Sequence, residues 1–273
     1  CLLVSHYWCK LVVPILWHNP FHYWWRSSSR PVENVIENNW HLLRRTYIAT
    51  LNEVEKEILH PYDRRYNPSQ PLFQYSAYLE NFSFADITKI IVEDDTLLAT
   101  LIEKAGKTLL NLQIDKVSGK VVMSLSQFCP NISKFTLEYE VQNYSMFMDY
   151  LKGSSISQLV IKSYGISIDL LNGLARYVPS SLEEIYLCCH FKPDFLMIFL
   201  LDYSALSFNT LKTLCIKDLD GYSHEYLKVI ERYSVYNAFK TIVIETMVCI
   251  DESSDLIQNI GKKGINVVLQ EVF

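Results

Sequence analysis

The chain has 273 residues, 49% of them hydrophobic and 20% charged, with a formal net charge of −5. That is the composition of an ordinary folded protein, and the weak acidic balance gives no electrostatic footprint for nucleic acid. Glycine is scarce, at 8, which disfavours glycine-rich phosphate loops, and no uncharged apolar run reaches the roughly 18 residues that cross a bilayer.

Residues 1–80 do not repeat. Their start is dense in aromatics, and Leu2, Leu3, Val4, Trp8, Leu11 and Val12 suit an amphipathic helix. Ser27, Ser28, Ser29, Arg30 and Pro31 read as a linker. A helix is expected from Trp40 to about Leu51, with Leu43, Tyr47, Ile48 and Leu51 on one stripe. Asn52 with Glu55 resembles a capping box for a second helix ending near Leu59, and Pro61 to Pro71 reads as loop. This middle piece is expected to cover one end of the core that follows.

A motif then recurs, apolar-x-x-apolar-x-apolar. It begins at Ile87, Leu109, Ile132, Ile156, Leu182, Leu211 and Phe239, at intervals of 22, 23, 24, 26, 29 and 28 residues. The second and third apolar positions lie two apart, which puts both on one face of a strand and turns the residue between them to the other face. An apolar stripe of helical period precedes several copies. Val121, Val122, Leu125 and Phe128 form one, as do Leu170, Leu171, Leu174 and Tyr177, and Tyr226, Leu227, Ile230 and Tyr233. Pro130 and Pro179 fall in the gap where each helix must stop. The most apolar stretch, Phe191 to Leu206, carries Lys192, Asp194 and Asp202 and fits one more such helix. A period of this size predicts a solenoid of strand–helix units, in which no unit buries enough to fold without neighbours. The competing expectation is one α/β domain of unrelated βα units.

The seven cysteines, at 1, 9, 129, 188, 189, 215 and 249, are odd in number and lack a C-x-x-C pair. They are expected to be reduced and buried, in a cytoplasmic or nuclear protein. The sequons at Asn81, Asn131 and Asn143 are of a kind that arises by chance.

Specific resemblance enters at the N-terminus. Cys1 to Trp8, followed by Pro14, Ile15, Leu16 and Trp17, looks like the second half of an F-box, whose Leu-Pro start would lie upstream of Cys1. Arg45 to Leu51 and Pro71 to Tyr75 resemble the connector of a large fungal group of F-box proteins, and Phe128 to Leu137 is similar to the C-P-N-L-x-x-L-x-L line of their leucine-rich repeats. The resemblance implies an α/β leucine-rich-repeat solenoid over 81–273, a helical connector and cap over 31–80, and a partial F-box over 1–30. It implies a non-catalytic substrate receptor of a Skp–cullin–F-box ubiquitin ligase. Leu3, Val4, Trp8 and Trp17 would be adaptor-facing or F-box core positions. The partners implied are a Skp-type adaptor, a cullin and an unidentified protein substrate, without nucleic acid, membrane or cofactor. The alternative is a leucine-rich-repeat interaction scaffold with no ligase connection.

In such a solenoid the concave sheet meets its ligand through residues between the core positions. Those are Ile91, Gln113, Thr136, Val160, Tyr186, Cys215 and Val243, flanked by Lys89, Glu93, Lys134, Glu138, Lys162, Glu183, Glu184, Lys212, Lys217, Lys240 and Glu245. An apolar centre with a charged rim suits a protein interface. Motifs of chemistry are weak. Gly106, Lys107 and Thr108 end a phosphate-loop pattern, but Leu101 stands where the first glycine belongs, and the segment closes a helix where a phosphate loop opens one. Cys188, Cys189 and His190 lack a second ligand pair at metal-binding spacing. No H-E-x-x-H and no nucleophile elbow occur, so neither catalytic residues nor a metal are expected.

Overall fold

The computed structural model describes residues 12–15, 17–18, 78, 80–83, 95–163, 168–177, 179–189, 192–204, 211–218, 221–233, 240–246 and 254–271. Strands and helices alternate. In chain order they are β1 (Asn81–Ser83), α1 (Asp95–Ala105), β2 (Asn111–Val117), α2 (Gly119–Phe128), β3 (Lys134–Val141) and α3 (Tyr144–Gly153). They continue with β4 (Gln158–Ser163), α4 (Ile168–Tyr177), β5 (Glu184–Cys189), α5 (Pro193–Ser204), β6 (Thr213–Asp218), α6 (Ser223–Tyr233), β7 (Thr241–Thr246), α7 (Ser254–Lys262) and β8 (Asn266–Glu271). The chain divides into two compact units, Cys1–Ile114 with Lys120–Ile132, and Asp115–Gly119 with Ser133–Phe273.

In the first unit β1 runs parallel to β2, with Asn81 opposite Asn111 and Ser83 opposite Gln113. The sequence motif at Ile87 to Val92 lies outside the described residues; the strand beside β2 comes from the segment just before it. Leu98 and Ile102 of α1, Leu112 and Ile114 of β2, and Val121, Val122 and Leu125 of α2 are all 2% exposed or less and form this unit's core. The α1 end is polar and tight. The Thr108 hydroxyl donates to the Ala105 carbonyl, the Asn131 amide donates to the Lys107 carbonyl at 2.8 Å, and the Cys129 thiol donates to the Ile102 carbonyl at 3.9 Å. The Gly106–Thr108 segment thus closes a helix.

Gly106 also has no room for a side chain. A Cβ there would lie 2.4 Å from the Phe128 carbonyl oxygen and 2.7 Å from that of Ile102, both backbone atoms. Gly106→Ala is therefore expected to destabilise this unit by about 2 kcal/mol or more. Thermal unfolding would show it, and an unchanged midpoint would contradict the close approach.

In the second unit β3 to β8 pair in chain order, each parallel to the next. Parallel neighbours need a crossover, and each intervening helix supplies it. Phe135, Leu159, Ile185, Leu214 and Ile242 meet across these ladders as one registered row, all 1% exposed or less. Leu137, Ile161, Leu187, Ile216 and Ile244 make a second such row. Helix stripes complete the core. Leu170, Leu171 and Leu174 of α4 and Tyr226, Leu227 and Ile230 of α6 are buried. Phe135 meets Phe147 and Tyr150 of α3 at ring-centroid distances of 5.7 and 6.4 Å, which fixes the helix side of the sheet. Tyr177 departs from its expected place in the α4 stripe. It lies in the helix's last turn and is 43% exposed, while Arg176 beside it bonds to Asp202.

The entries to the strands share one backbone device. The Ser133 carbonyl accepts from the N–H groups of Ser157 and Gln158, that of Ser157 from Glu183 and Glu184, that of Glu183 from Lys212 and Thr213, and that of Lys212 from Lys240 and Thr241. One oxygen thus holds two donors that would otherwise be unsatisfied where the chain turns into the sheet. This column sets the register and explains why the motif spacing can grow without disturbing the ladder: extra residues go into the loops and helices. Asn143 caps α3, its side chain accepting from the Met146 N–H.

Candidate functional site

Period two assigns the residues between the core rows to the sheet face opposite the helices. On the second unit this face carries Thr136, Val160, Tyr186, Cys215 and Val243 as one continuous row, each the registered partner of the next, with Val268 of β8 following Val243. Five of the seven expected central residues are thereby brought together. Gln113 belongs to the first unit, opposite Ser83. Ile91, Lys89 and Glu93 lie outside the described residues, as do Leu3, Val4 and Trp8. Trp17 is half-buried after the short helical stretch at 12–15.

The row is not uniformly accessible. Thr136, Val160 and Cys215 are buried, at 5%, 9% and 1% exposed, whereas Tyr186 and Val243 are half-buried. Side-chain identity does not decide this, since Val160 and Val243 are alike; their registered neighbours differ, Thr136 and Tyr186 flanking Val160 and Cys215 and Val268 flanking Val243. Tyr186 and Val243 therefore present the surface, and Thr136, Val160 and Cys215 support it.

Polar side chains two residues before and after the row lie on the same face. Lys162 donates to Glu138 at 3.2 Å on one side of it. On the other, Gln158 donates to Glu184 Oε2 at 2.7 Å and the Tyr186 hydroxyl donates to the same oxygen at 3.3 Å. The ring of Tyr186 is thus held by a carboxylate on its own strand. Burial first, then the Glu184 charge and hydrogen bond, push its phenol above the usual value. Glu183 and Lys212 pair at 2.6 Å, but they precede their strands and stand at the rim. Gln158 was not among the expected residues, although its place two before Val160 announces its face.

Cys215 donates its thiol to Glu245 Oε1 at 3.9 Å. Burial, then the Glu245 charge, pushes its pKa up to about 12; burial alone takes Cys129 to about 12. Cys188, on the same face, is raised by burial and Glu245 against the pull of Lys217 and Lys162. Such thiols stay protonated and poorly nucleophilic at neutral pH. A raised folded-state pKa stabilises the fold only while the unfolded thiol is also protonated. The thiols' contribution to stability is therefore expected to be constant below about pH 8.5 and to fall as the pH rises from there toward 12. Denaturant titrations between pH 7 and 11 measure this, and a rise in stability over that range would contradict it.

Among the described residues no group of three His, Cys, Asp or Glu is placed to hold a metal ion, and no helix is long and apolar enough to cross a membrane. Comparison with protein-family models, with curated proteins and with solved structures returned no match. What the fold defines is the class: parallel strands alternating with helices, neighbours in chain order, one sheet face packed on helices and the other carrying a registered mixed row.

Proposed function

We infer that the protein is a substrate-recognition subunit of a Skp–cullin–F-box type ubiquitin ligase, and that its repeats are leucine-rich repeats whose helix-free sheet face holds the target. The observation that carries the reading is the continuous row from Thr136 to Val243 on that face, in a chain whose first 30 residues resemble an F-box. Leu3, Val4, Trp8 and Trp17 are the residues assigned to the adaptor. The receptor forms and breaks no covalent bond. It raises the effective concentration of a target lysine near the charged conjugating enzyme, an effect of proximity alone. Cytoplasm or nucleus is the compartment this role requires.

The test is co-purification of the protein, extended upstream to a complete F-box, with a Skp-type adaptor. A stoichiometric complex is expected, weakened at least tenfold by Trp8→Ala, because buried aromatics dominate interfaces. A folded, extended protein that leaves the adaptor untouched would defeat the ligase reading and favour the interaction scaffold.

A further inference from the structure

The carboxylates on the helix-free face of the second unit are unequally provided for. Glu138 has Lys162 and, at the rim, Glu183 has Lys212. Glu184 accepts from Gln158 and Tyr186 on a single oxygen, and among the described residues no cation pairs with it. Among the described residues Glu245 accepts only the weak thiol donor of Cys215. Its registered neighbour Lys217 makes no ion pair with it. Both acids are half-buried, so a cation reaching them would be bound in a partly desolvated place where its charge counts for more than on an open surface.

Their positions define a path. Glu184 stands on β5 two residues before the central row, and Glu245 on β7 two residues after it. The line joining them crosses Cys215 on β6, with Tyr186 on one side and Val243 on the other. With strands about 4.8 Å apart and a rise of about 3.3 Å per residue, the backbone positions of the two acids are about 16 Å apart. An extended chain spans that distance in about four to six residues, and residues at even separations share a face. Lys217 stands directly beside Glu245 on β6, so a cation pairs with Glu245 on the side away from that ammonium, toward Gln270 of β8.

We propose that this face takes an extended segment of a partner protein that carries two basic side chains about four residues apart with an apolar one midway. One base pairs with Glu184 beside the Tyr186 ring, whose face attracts a cation lying over it. The other pairs with Glu245. The apolar side chain rests between Tyr186 and Val243, above the Cys215 position. This rests on reading the helix-free face as the protein-binding surface, and it names the chemistry that surface selects.

The experiment exposes the whole protein to a bead-bound library of random decapeptides and sequences those retained. Lys or Arg is expected at two positions about four apart, at least tenfold over Glu, with an apolar residue between them. Glu184→Gln removes one basic preference and Glu245→Gln the other. Glu184→Lys turns the first into a preference for an acidic residue. Circular dichroism on each variant confirms that the fold is kept. Peptides that need Tyr186, since Tyr186→Ala loses them, but show no basic preference would overturn this proposal and leave the face as a binding surface. Peptides held equally by the Tyr186→Ala protein, or no retained peptides at all, would overturn both.

Discussion

Phe135→Ala is expected to lower the unfolding free energy of the second unit by about 3–5 kcal/mol, the usual cost of emptying a buried phenylalanine site. The ring is fully buried on β3, opposite Leu159, and stands against Phe147 and Tyr150 of α3. Three rings at 5.7 to 6.5 Å from one another cannot close over the space left by one, because each is fixed by its own strand or helix. The lost contacts include tilted and edge-on ring pairs, which add to plain area burial. Phe135→Leu keeps most of the volume and should cost about 1–1.5 kcal/mol. Urea unfolding followed by far-ultraviolet circular dichroism measures both. A loss below 1 kcal/mol for Phe135→Ala would mean that the strand does not face the helices.

The period of the apolar triplets carried most of this fold in the sequence. Leu159, Ile161, Ile185, Leu187, Leu214 and Ile216 sit where the motif puts them because alternation along a strand is a local property, visible in any single copy. The helix stripes were legible for the same reason, except at their ends. Tyr177 continues the 3.6-residue pattern but lies in the last turn of α4, where the next strand no longer requires it inside. The paired N–H groups on the Ser133, Ser157, Glu183 and Lys212 carbonyls have no side-chain signature, since any residue offers a carbonyl. On the candidate face, membership of the row was legible and exposure was not. Whether Cys215 or Tyr186 meets a partner depends on the length of side chains on neighbouring strands about 25–30 residues away, which no local window contains. The Gln158–Glu184–Tyr186 cluster was hidden for the same reason: its members become neighbours only through the ladder between β4 and β5.

Ile185→Asn and Tyr186→Asn, adjacent in the chain and given the same new side chain, are expected to behave oppositely. Ile185 is fully buried and registered between Leu159 and Leu214, which are 1% exposed or less. An amide there loses the transfer energy of the isoleucine and gains no partner among aliphatic neighbours. The two costs together come to about 4 kcal/mol or more, a large share of the 5–15 kcal/mol that typically holds a domain together. Units in a linear array support one another through their shared faces, so the damage should spread from β5 to both neighbouring strands. Tyr186 points the other way. Its hydroxyl is one of two donors to Glu184 Oε2, and Glu184 keeps its bond from Gln158 without it. Tyr186→Asn should therefore cost about 1 kcal/mol or less while removing the ring from the proposed contact surface. A neutral substituent keeps repulsion from Glu184 out of the comparison. Hydrogen exchange read strand by strand decides the matter. Protection of β4, β5 and β6 should collapse in the Ile185 variant and persist in the Tyr186 variant, and equal effects at the two positions would mean that the strand has no inside and outside.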